Sequence, residues 1–178
     1  MGKKDFLSAT EKKVRKYLRL KENFDPKKEI FVYNDNSKEF FVSVYLLRRI
    51  FHKGMEIKEV KNLENFDFRN NFLIVPWNME REINILVQPI LNKKTERPET
   101  ISKELWECLK DKKTNKKIVK LMGNITEEEI IKYSKEKKLA GKIKKEPLNP
   151  LVKEIIEKKP RMKYSIISGL KILEELNR

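Results

Sequence analysis

The sequence predicts an α/β fold built on a parallel β-sheet. Short apolar runs typical of buried strands alternate with segments whose apolar residues recur at helical spacing. This alternation is typical of βαβ units, in which right-handed crossovers join parallel strands. Hydrophobic residues make up 39% of the 178 residues, which is enough for a core. Charged residues are also 39%, against roughly 25% in an average globular protein, so we expect a densely charged surface.

The first predicted element is a basic helix. Ser8-Ala-Thr-Glu11 has the pattern of a capping box, which predicts that the helix begins at Ser8. We expect residues 1–25 to form this basic N-terminal helix. Residues 26–138 would form the α/β domain, and residues 139–178 a basic helical segment.

The α/β domain is predicted to alternate strands with helices. The predicted strands are 29–33, 55–60, 71–76 and 118–122, and the predicted helices are 38–51, 79–91, 102–110 and 126–138. Gly54 should end the first of these helices, and Pro89 should truncate or kink the second. Thr126-Glu-Glu-Glu129 is a second capping box. Two helices separated by Pro160 complete the chain.

The charge is strongly unbalanced. Lys and Arg total 42 against 27 Asp and Glu, a net charge of +15. This surplus favours a polyanionic partner, because cations that neutralise phosphates release counterions. It concentrates in residues 3–21, 93–120 and 132–163, although any single lysine is more simply a solvated surface residue. The candidate RNA-binding residues are Lys12, Lys13, Arg15, Lys16, Arg19, Lys135, Lys138, Lys142, Lys144, Lys145, Arg161 and Lys163.

Composition excludes several other classes of function. The single cysteine, Cys108, cannot form an internal disulfide or a cysteine-based metal site, and we expect it to be a core thiol. The longest apolar run, Phe40 to Leu47, is far shorter than the ~20 residues that span a bilayer. We therefore expect a soluble, cytoplasmic protein. Trp77 and Trp106 could stack on bases but are interpreted as packing residues.

Five segments, in order, resemble the PP-loop family of tRNA 2-thiolation enzymes. Residues 35–40, Asp-Asn-Ser-Lys-Glu-Phe, stand where that family has Ser-Gly-Gly-Lys-Asp-Ser. Residues 76–82 resemble its Gly-His-Asn-x-Asp-Asp-Glu, and residues 160–166 its terminal Pro-Gly-x-Lys-Tyr-Ser-Ile. Residues 11–15 and 125–130 resemble its opening helix and the segment after its last strand. The resemblance implies a shortened PP-loop fold, of the adenine nucleotide alpha hydrolase-like type, with helical extensions at both ends.

The departures from the family pattern point to a loss of activity. Asn36 and Ser37 replace the glycines that let the loop backbone approach ATP phosphates. Trp77 replaces a His, and one cysteine cannot supply the cluster-binding or sulfur-carrying cysteines of the family. The resemblance thus implies a catalytically inactive protein without a cofactor. Its vestigial nucleotide loop would comprise Asp35, Asn36, Ser37, Lys38, Glu39, Asn78 and Glu80.

Three functions remain open at this point. The first is a noncatalytic subunit that binds tRNA and pairs with an intact PP-loop thiolase as a heterodimer. The second is a structural or assembly module whose charge serves solubility. The third is a remodelled enzyme that uses Lys38, Glu39 and Glu80 on phosphate and Mg²⁺. We also predict that Trp77 fills the vacated nucleotide site.

Overall fold

Four parallel strands form one sheet in the order β2-β1-β3-β4. The computed structural model describes residues 3–19, 29–51, 56–92, 97–145, 147–159 and 162–176. The strands are β1 Glu29–Tyr33, β2 Glu56–Val60, β3 Leu73–Val75 and β4 Ile118–Lys120. The predicted α/β fold with a parallel sheet and helical extensions is confirmed.

Eight helices accompany the sheet in the described part of the chain. They are α1 Lys3–Arg19, α2 Lys38–Ile50, α3 Met79–Asn92, α4 Lys103–Lys110, α5 Lys112–Asn115, α6 Glu127–Lys137, α7 Pro150–Lys158 and α8 Met162–Leu176. The capping box predicted at Thr126 is present and begins α6. The short α5, which Asp111 caps, was not predicted.

One prediction about a helix end is wrong, and of the truncation or kink predicted at Pro89 the truncation is wrong. The chain is already helical at Lys3, so Ser8 lies inside α1 and does not begin it. The buried Phe6 extends the helix, and the Thr10 hydroxyl donates to the carbonyl of Phe6 one turn earlier. Helix α3 is not truncated at Pro89 but continues to Asn92, since a missing N–H this close to a helix end removes only one hydrogen bond. Gly54 and Pro160 lie outside the described residues.

Alternate strand residues build two cores on opposite faces of the sheet, as a period of two requires. The first core contains Ile30, Val32, Ile74 and Val119 with side chains of α1, α2 and α6. The second contains Tyr33, Leu73, Val75 and Ile118 with side chains of α4 and residues 63–68. Trp77 and Trp106 are buried in the second core, as predicted, whereas Cys108, predicted to be a core thiol, is only half-buried at its edge.

The C-terminal helices pack away from the sheet on α3. Ile83 and Val87 of α3 form a third cluster with Val152 and Ile156 of α7 and Ile167 of α8. No helix among the described residues is long and apolar enough to cross a membrane.

Candidate functional site

The two polar segments that follow β1 and β3 meet at the carboxyl edge of the sheet. Strands β1 and β3 are direct neighbours, so the residues after them are close in space. Asn78 Nδ2 donates to Glu39 Oε1 at 3.0 Å and joins the segments directly. Asn78 also caps α3, because its Oδ1 accepts from the Arg81 N–H at 2.8 Å. This edge is where parallel α/β sheets bind ligands.

The loop after β1 has the backbone shape of a helix-capping turn. Asn36 adopts a left-handed conformation with φ of 58°, which Asn tolerates better than most residues. Ser37 is the N-cap of α2, and its hydroxyl accepts from the Phe40 N–H at 3.1 Å. The start of α2 is therefore a helix N-terminus of the kind that binds phosphates in other proteins.

The N–H groups of this loop are already hydrogen-bonded to acceptors of the chain itself. The donor and acceptor pairs are Asn36 N–H with Asn34 Oδ1 at 2.9 Å, Ser37 N–H with Asp35 Oδ1 at 3.1 Å, and Lys38 N–H with the Lys142 carbonyl at 2.9 Å. A phosphate would need these same donors. The carboxylate of Asp35 also brings negative charge to the place where a phosphate would lie.

Residues 139–145, which we call the strap, lie against this loop. Lys142 forms a parallel bridge with Ser37, and its N–H donates to the Asn36 carbonyl at 3.2 Å. Gly141 has φ of 101°, and a Cβ added there would lie 2.7 Å from both the Ser37 carbonyl oxygen and Phe41 Cδ2. The contact therefore depends on a residue without a side chain.

An ion pair near the C-terminal end of the strap also holds it against the loop. Lys144 Nζ lies 3.1 Å from Asp35 Oδ2, and both side chains are largely covered. Lys38, the candidate that matches the family lysine, points to α6 and donates to Ser134 Oγ at 3.4 Å. We predicted residues 139–178 as a basic helical segment and did not predict that residues 139–145 pair with the loop.

Three acidic side chains lie beside the loop in covered positions. Glu39 is 1% exposed, and its Oε2 has no hydrogen-bond partner among the described residues. Glu80 Oε1 accepts from Lys163 Nζ at 3.0 Å, and its Oε2 accepts from the Glu127 N–H at 2.8 Å. Burial and the neighbouring carboxylates of Glu80 and Glu39 raise the pKa of Glu127. No group of three or more His, Cys, Asp or Glu among the described residues is arranged to hold a metal ion.

Trp77, which follows β3, lies close to two cations, Arg81 of α3 and Lys120 of β4. Its Nε1–H donates to Glu82 Oε2 at 2.8 Å. Arg81 lies 5.3 Å and Lys120 4.9 Å from its ring centroid, within the range of cation–π interactions. The indole is fully buried in the second core. That it fills a vacated nucleotide site remains a prediction.

Four of the candidate RNA-binding residues are engaged inside the protein. Lys13 forms a 2.7 Å ion pair with Glu129, and Lys144 and Lys163 form the pairs described above. Arg15 donates to the carbonyl of Arg49 at 3.2 Å. Arg161 lies outside the described residues.

The remaining candidates are exposed and have no ion-pair partner among the described residues. They are Lys12, Lys16 and Arg19 on α1, Lys135 and Lys138 at the end of α6, and Lys142 and Lys145 on the strap. Lys132 is also exposed on α6 and was not among the candidates, although its spacing of three residues from Lys135 places both on one side of that helix.

Side chains of helices α1 and α6 contact each other, and both helices carry exposed cations. Tyr133 donates to Glu11 Oε1 at 3.1 Å, and Lys13 pairs with Glu129. The exposed cations of α1 recur at intervals of four and three residues on the side away from the core. We call the outward set the cationic face, and it comprises Lys12, Lys16, Arg19, Lys132, Lys135 and Lys138.

A comparison with known proteins finds a solved structure with a similar fold. The sequence matches no protein-family model and no curated protein. Among solved structures, the chain is similar to the U34-tRNA thiolase NcsA from Methanococcus maripaludis with its [4Fe-4S] cluster. The TM-score is 0.63 at 17% identity, over 96% of this chain and 79% of that chain. This likeness supports a PP-loop-like fold.

The cluster of that neighbour does not fit the residues present here. Iron–sulfur clusters are held mainly by several cysteine thiolates, and this chain has one cysteine. Cys108 packs at the edge of the second core, and burial raises the pKa of its thiol. A half-buried thiol with a raised pKa is a poor metal ligand.

Proposed function

We propose that this protein binds tRNA without acting on it, and that it serves a tRNA thiolation enzyme as a noncatalytic partner subunit. The hydrogen bond from the Lys38 N–H to the Lys142 carbonyl carries the proposal of inactivity. It occupies a donor that a nucleotide phosphate would require. The ion pair between Lys144 and Asp35 holds the strap in that place.

The surface charge supports RNA as the partner. The cations of the cationic face have no acid neutralising them in the described structure, so they can release counterions from a nucleic acid. The fold is similar to that of an enzyme that acts on tRNA. A noncatalytic subunit could retain such a surface after the nucleotide loop had lost its chemistry.

A matched pair of triple variants tests RNA binding. The first variant changes Lys12, Lys16 and Arg19 to Gln. The control changes Lys103, Lys112 and Lys113 to Gln, which removes the same charge from exposed positions on α4 and the adjoining α5. Labelled tRNA would be titrated with each protein in 0.15 M salt, and binding would be followed by fluorescence anisotropy.

The expected loss follows from counterion release. Each phosphate contact contributes on the order of fivefold in affinity at 0.15 M salt, so three contacts contribute about 100-fold. The first variant should therefore bind tRNA about 100-fold more weakly, and the control should stay within threefold of the native protein. Equal weakening of both variants would mean that total charge, rather than this face, drives binding.

Partnership is tested by mixing the protein with an intact PP-loop thiolase from the same organism. Co-elution in size-exclusion chromatography is the expected result. If the protein neither binds tRNA nor co-elutes with the thiolase, the proposal fails and the assembly-module function takes its place.

One observation favours a remodelled nucleotide enzyme as a second candidate. The unpartnered Oε2 of Glu39 lies in a covered position close to Glu80 and Glu127. Carboxylate oxygens and substrate phosphates are the ligands that Mg²⁺ prefers. Calorimetry with ATP and Mg²⁺ tests this function: binding heat that disappears in Glu39→Gln would favour it, and no heat in the native protein would exclude it.

A further inference from the structure

We infer that the cationic face binds the phosphate backbone of double-helical RNA rather than unpaired bases. This inference rests on the proposed RNA binding and names the form of RNA that the face accepts. Three observations support it. The aromatic rings near the face are covered, the cations are carried by helices, and a duplex has a higher charge density than a single strand.

The aromatic rings near the face are not available for stacking. Of the aromatic side chains that the structure describes, Tyr164 alone is exposed. Even that ring is covered on one side by Lys13, whose Nζ lies 5.4 Å from its centroid. Lys132 lies 4.5 Å from the ring of the buried Phe6, and Lys137 lies 5.7 Å from that of Tyr45. Lysine ammonium groups thus lie over one face of each of these three rings.

Proteins hold single-stranded RNA with stacking aromatic side chains, which the cationic face does not include. Proteins that bind it combine a basic groove with aromatic side chains on which successive bases stack. Sequence-specific recognition of RNA loops likewise splays bases out onto aromatic rings. The cationic face supplies only charge, and charge recognises the phosphates that every duplex presents at its surface.

The cations are held on two rigid helices. With a rise of ~1.5 Å per residue, Lys12 and Arg19 lie about 10 Å apart along α1. Lys132 and Lys135 lie on α6, which side chains join to α1 through the ion pair of Lys13 with Glu129 and the hydrogen bond of Tyr133 with Glu11. Two fixed rows of cations can contact the two fixed phosphate strands of a duplex. A flexible single strand would have to lose conformational entropy to meet the same rows.

Charge density adds a quantitative preference. The dependence of affinity on salt is steeper for a duplex than for a single strand, with slopes of about 0.9 against 0.7 per phosphate contact. For six contacts at 0.15 M salt, that difference favours the duplex about tenfold. Stacking could offset this preference on another protein surface, but the one exposed ring among the described residues, Tyr164, already has Lys13 over one of its faces.

The test compares three labelled RNAs by fluorescence anisotropy in 0.15 M salt. They are a 14-base-pair duplex, a second duplex of unrelated sequence, and an unstructured pyrimidine strand of 14 nucleotides. Whole tRNA serves as the reference ligand. The native protein, the variant Lys12→Gln/Lys16→Gln/Arg19→Gln and the control with Lys103, Lys112 and Lys113 changed to Gln are each titrated.

The native protein should bind both duplexes within threefold of each other and at least tenfold more tightly than the single strand. The α1 variant should lose most of this preference, and the control should keep it. If tRNA binds but the single strand binds as tightly as the duplexes, this inference is wrong and the proposed function stands. If none of the RNAs binds, tRNA included, the RNA-binding part of the proposed function itself fails.

Discussion

Substitution of Gly141 by Ala should displace the strap from the nucleotide loop. Gly141 has φ of 101°, a conformation that L side chains rarely adopt. The new methyl group would lie 2.7 Å from the Ser37 carbonyl oxygen and 2.8 Å from its carbonyl carbon. Backbone atoms cannot rotate out of the way as the end of a long side chain can, so the strap itself must move.

The loss in free energy of unfolding can be estimated from the contacts that the strap makes. The ion pair of Lys144 with Asp35, which the strap also carries, contributes up to about 1 kcal/mol. Moving the strap away breaks the two backbone hydrogen bonds of Lys142, which contribute about 1 kcal/mol each. The free energy of unfolding should therefore fall by about 3 kcal/mol. For a chain of this size, the melting temperature should fall by roughly 6–12 °C.

Urea unfolding followed by tryptophan fluorescence measures this change, because Trp77 and Trp106 are both buried. Gly169→Ala is the matched control. A Cβ at Gly169 meets nothing within 4 Å, and the residue lies inside α8. The control should leave stability unchanged or raise it by up to ~1 kcal/mol. A Gly141→Ala protein whose stability lies within ~0.5 kcal/mol of the native value would refute the packing of the strap on the loop.

Three further predictions concern buried groups. Trp77→Phe removes the indole N–H that donates to Glu82 and leaves a small cavity, so the free energy of unfolding should fall by about 2–4 kcal/mol in urea titrations; a loss below ~1 kcal/mol would contradict the described contacts. Burial raises the pKa of the Cys108 thiol, so its reaction with a disulfide reagent at pH 8 should be at least ~10-fold slower in the folded protein than in guanidinium; equal rates would place the thiol in solvent. Burial and Glu80 raise the pKa of Glu127 above its ordinary value of 4.5. The protonated carboxyl therefore contributes stability that is fully present below that pH and is lost as the pH rises through the raised pKa of the folded state. Glu127→Gln should therefore be more stable than the native protein at pH 7 and equal to it near pH 4, and an unchanged difference at both pH values would show that the carboxyl does not titrate differently on folding.

Local sequence patterns were sufficient to predict most of the elements. The apolar run from Glu29 to Tyr33 is β1 with the predicted bounds, because a strand buried on both faces is continuously apolar. The capping box at Thr126 begins α6 as predicted. The same pattern predicted a wrong helix start at Ser8, because the packing of Phe6 extends α1 towards the N-terminus.

The pairing of the strap with the loop could not be predicted from local patterns. Lys144 and Asp35 are 109 residues apart in the sequence, and neither residue type specifies the other as its partner. The helical period was sufficient to place Lys12, Lys16 and Arg19 on one side of α1. It did not show that Lys13, one residue away from Lys12, is paired with Glu129.

The proposed function requires that the protein bind tRNA through charge and independently of nucleotide. The direct measurement is fluorescence anisotropy of labelled tRNA titrated with the native protein at several salt concentrations, with and without ATP and Mg²⁺. We predict a dissociation constant on the order of micromolar or tighter at physiological salt, a steep loss of affinity as salt rises, and no effect of ATP. Absence of binding at physiological salt would contradict RNA binding, and a clear dependence on ATP would contradict an inactive nucleotide loop.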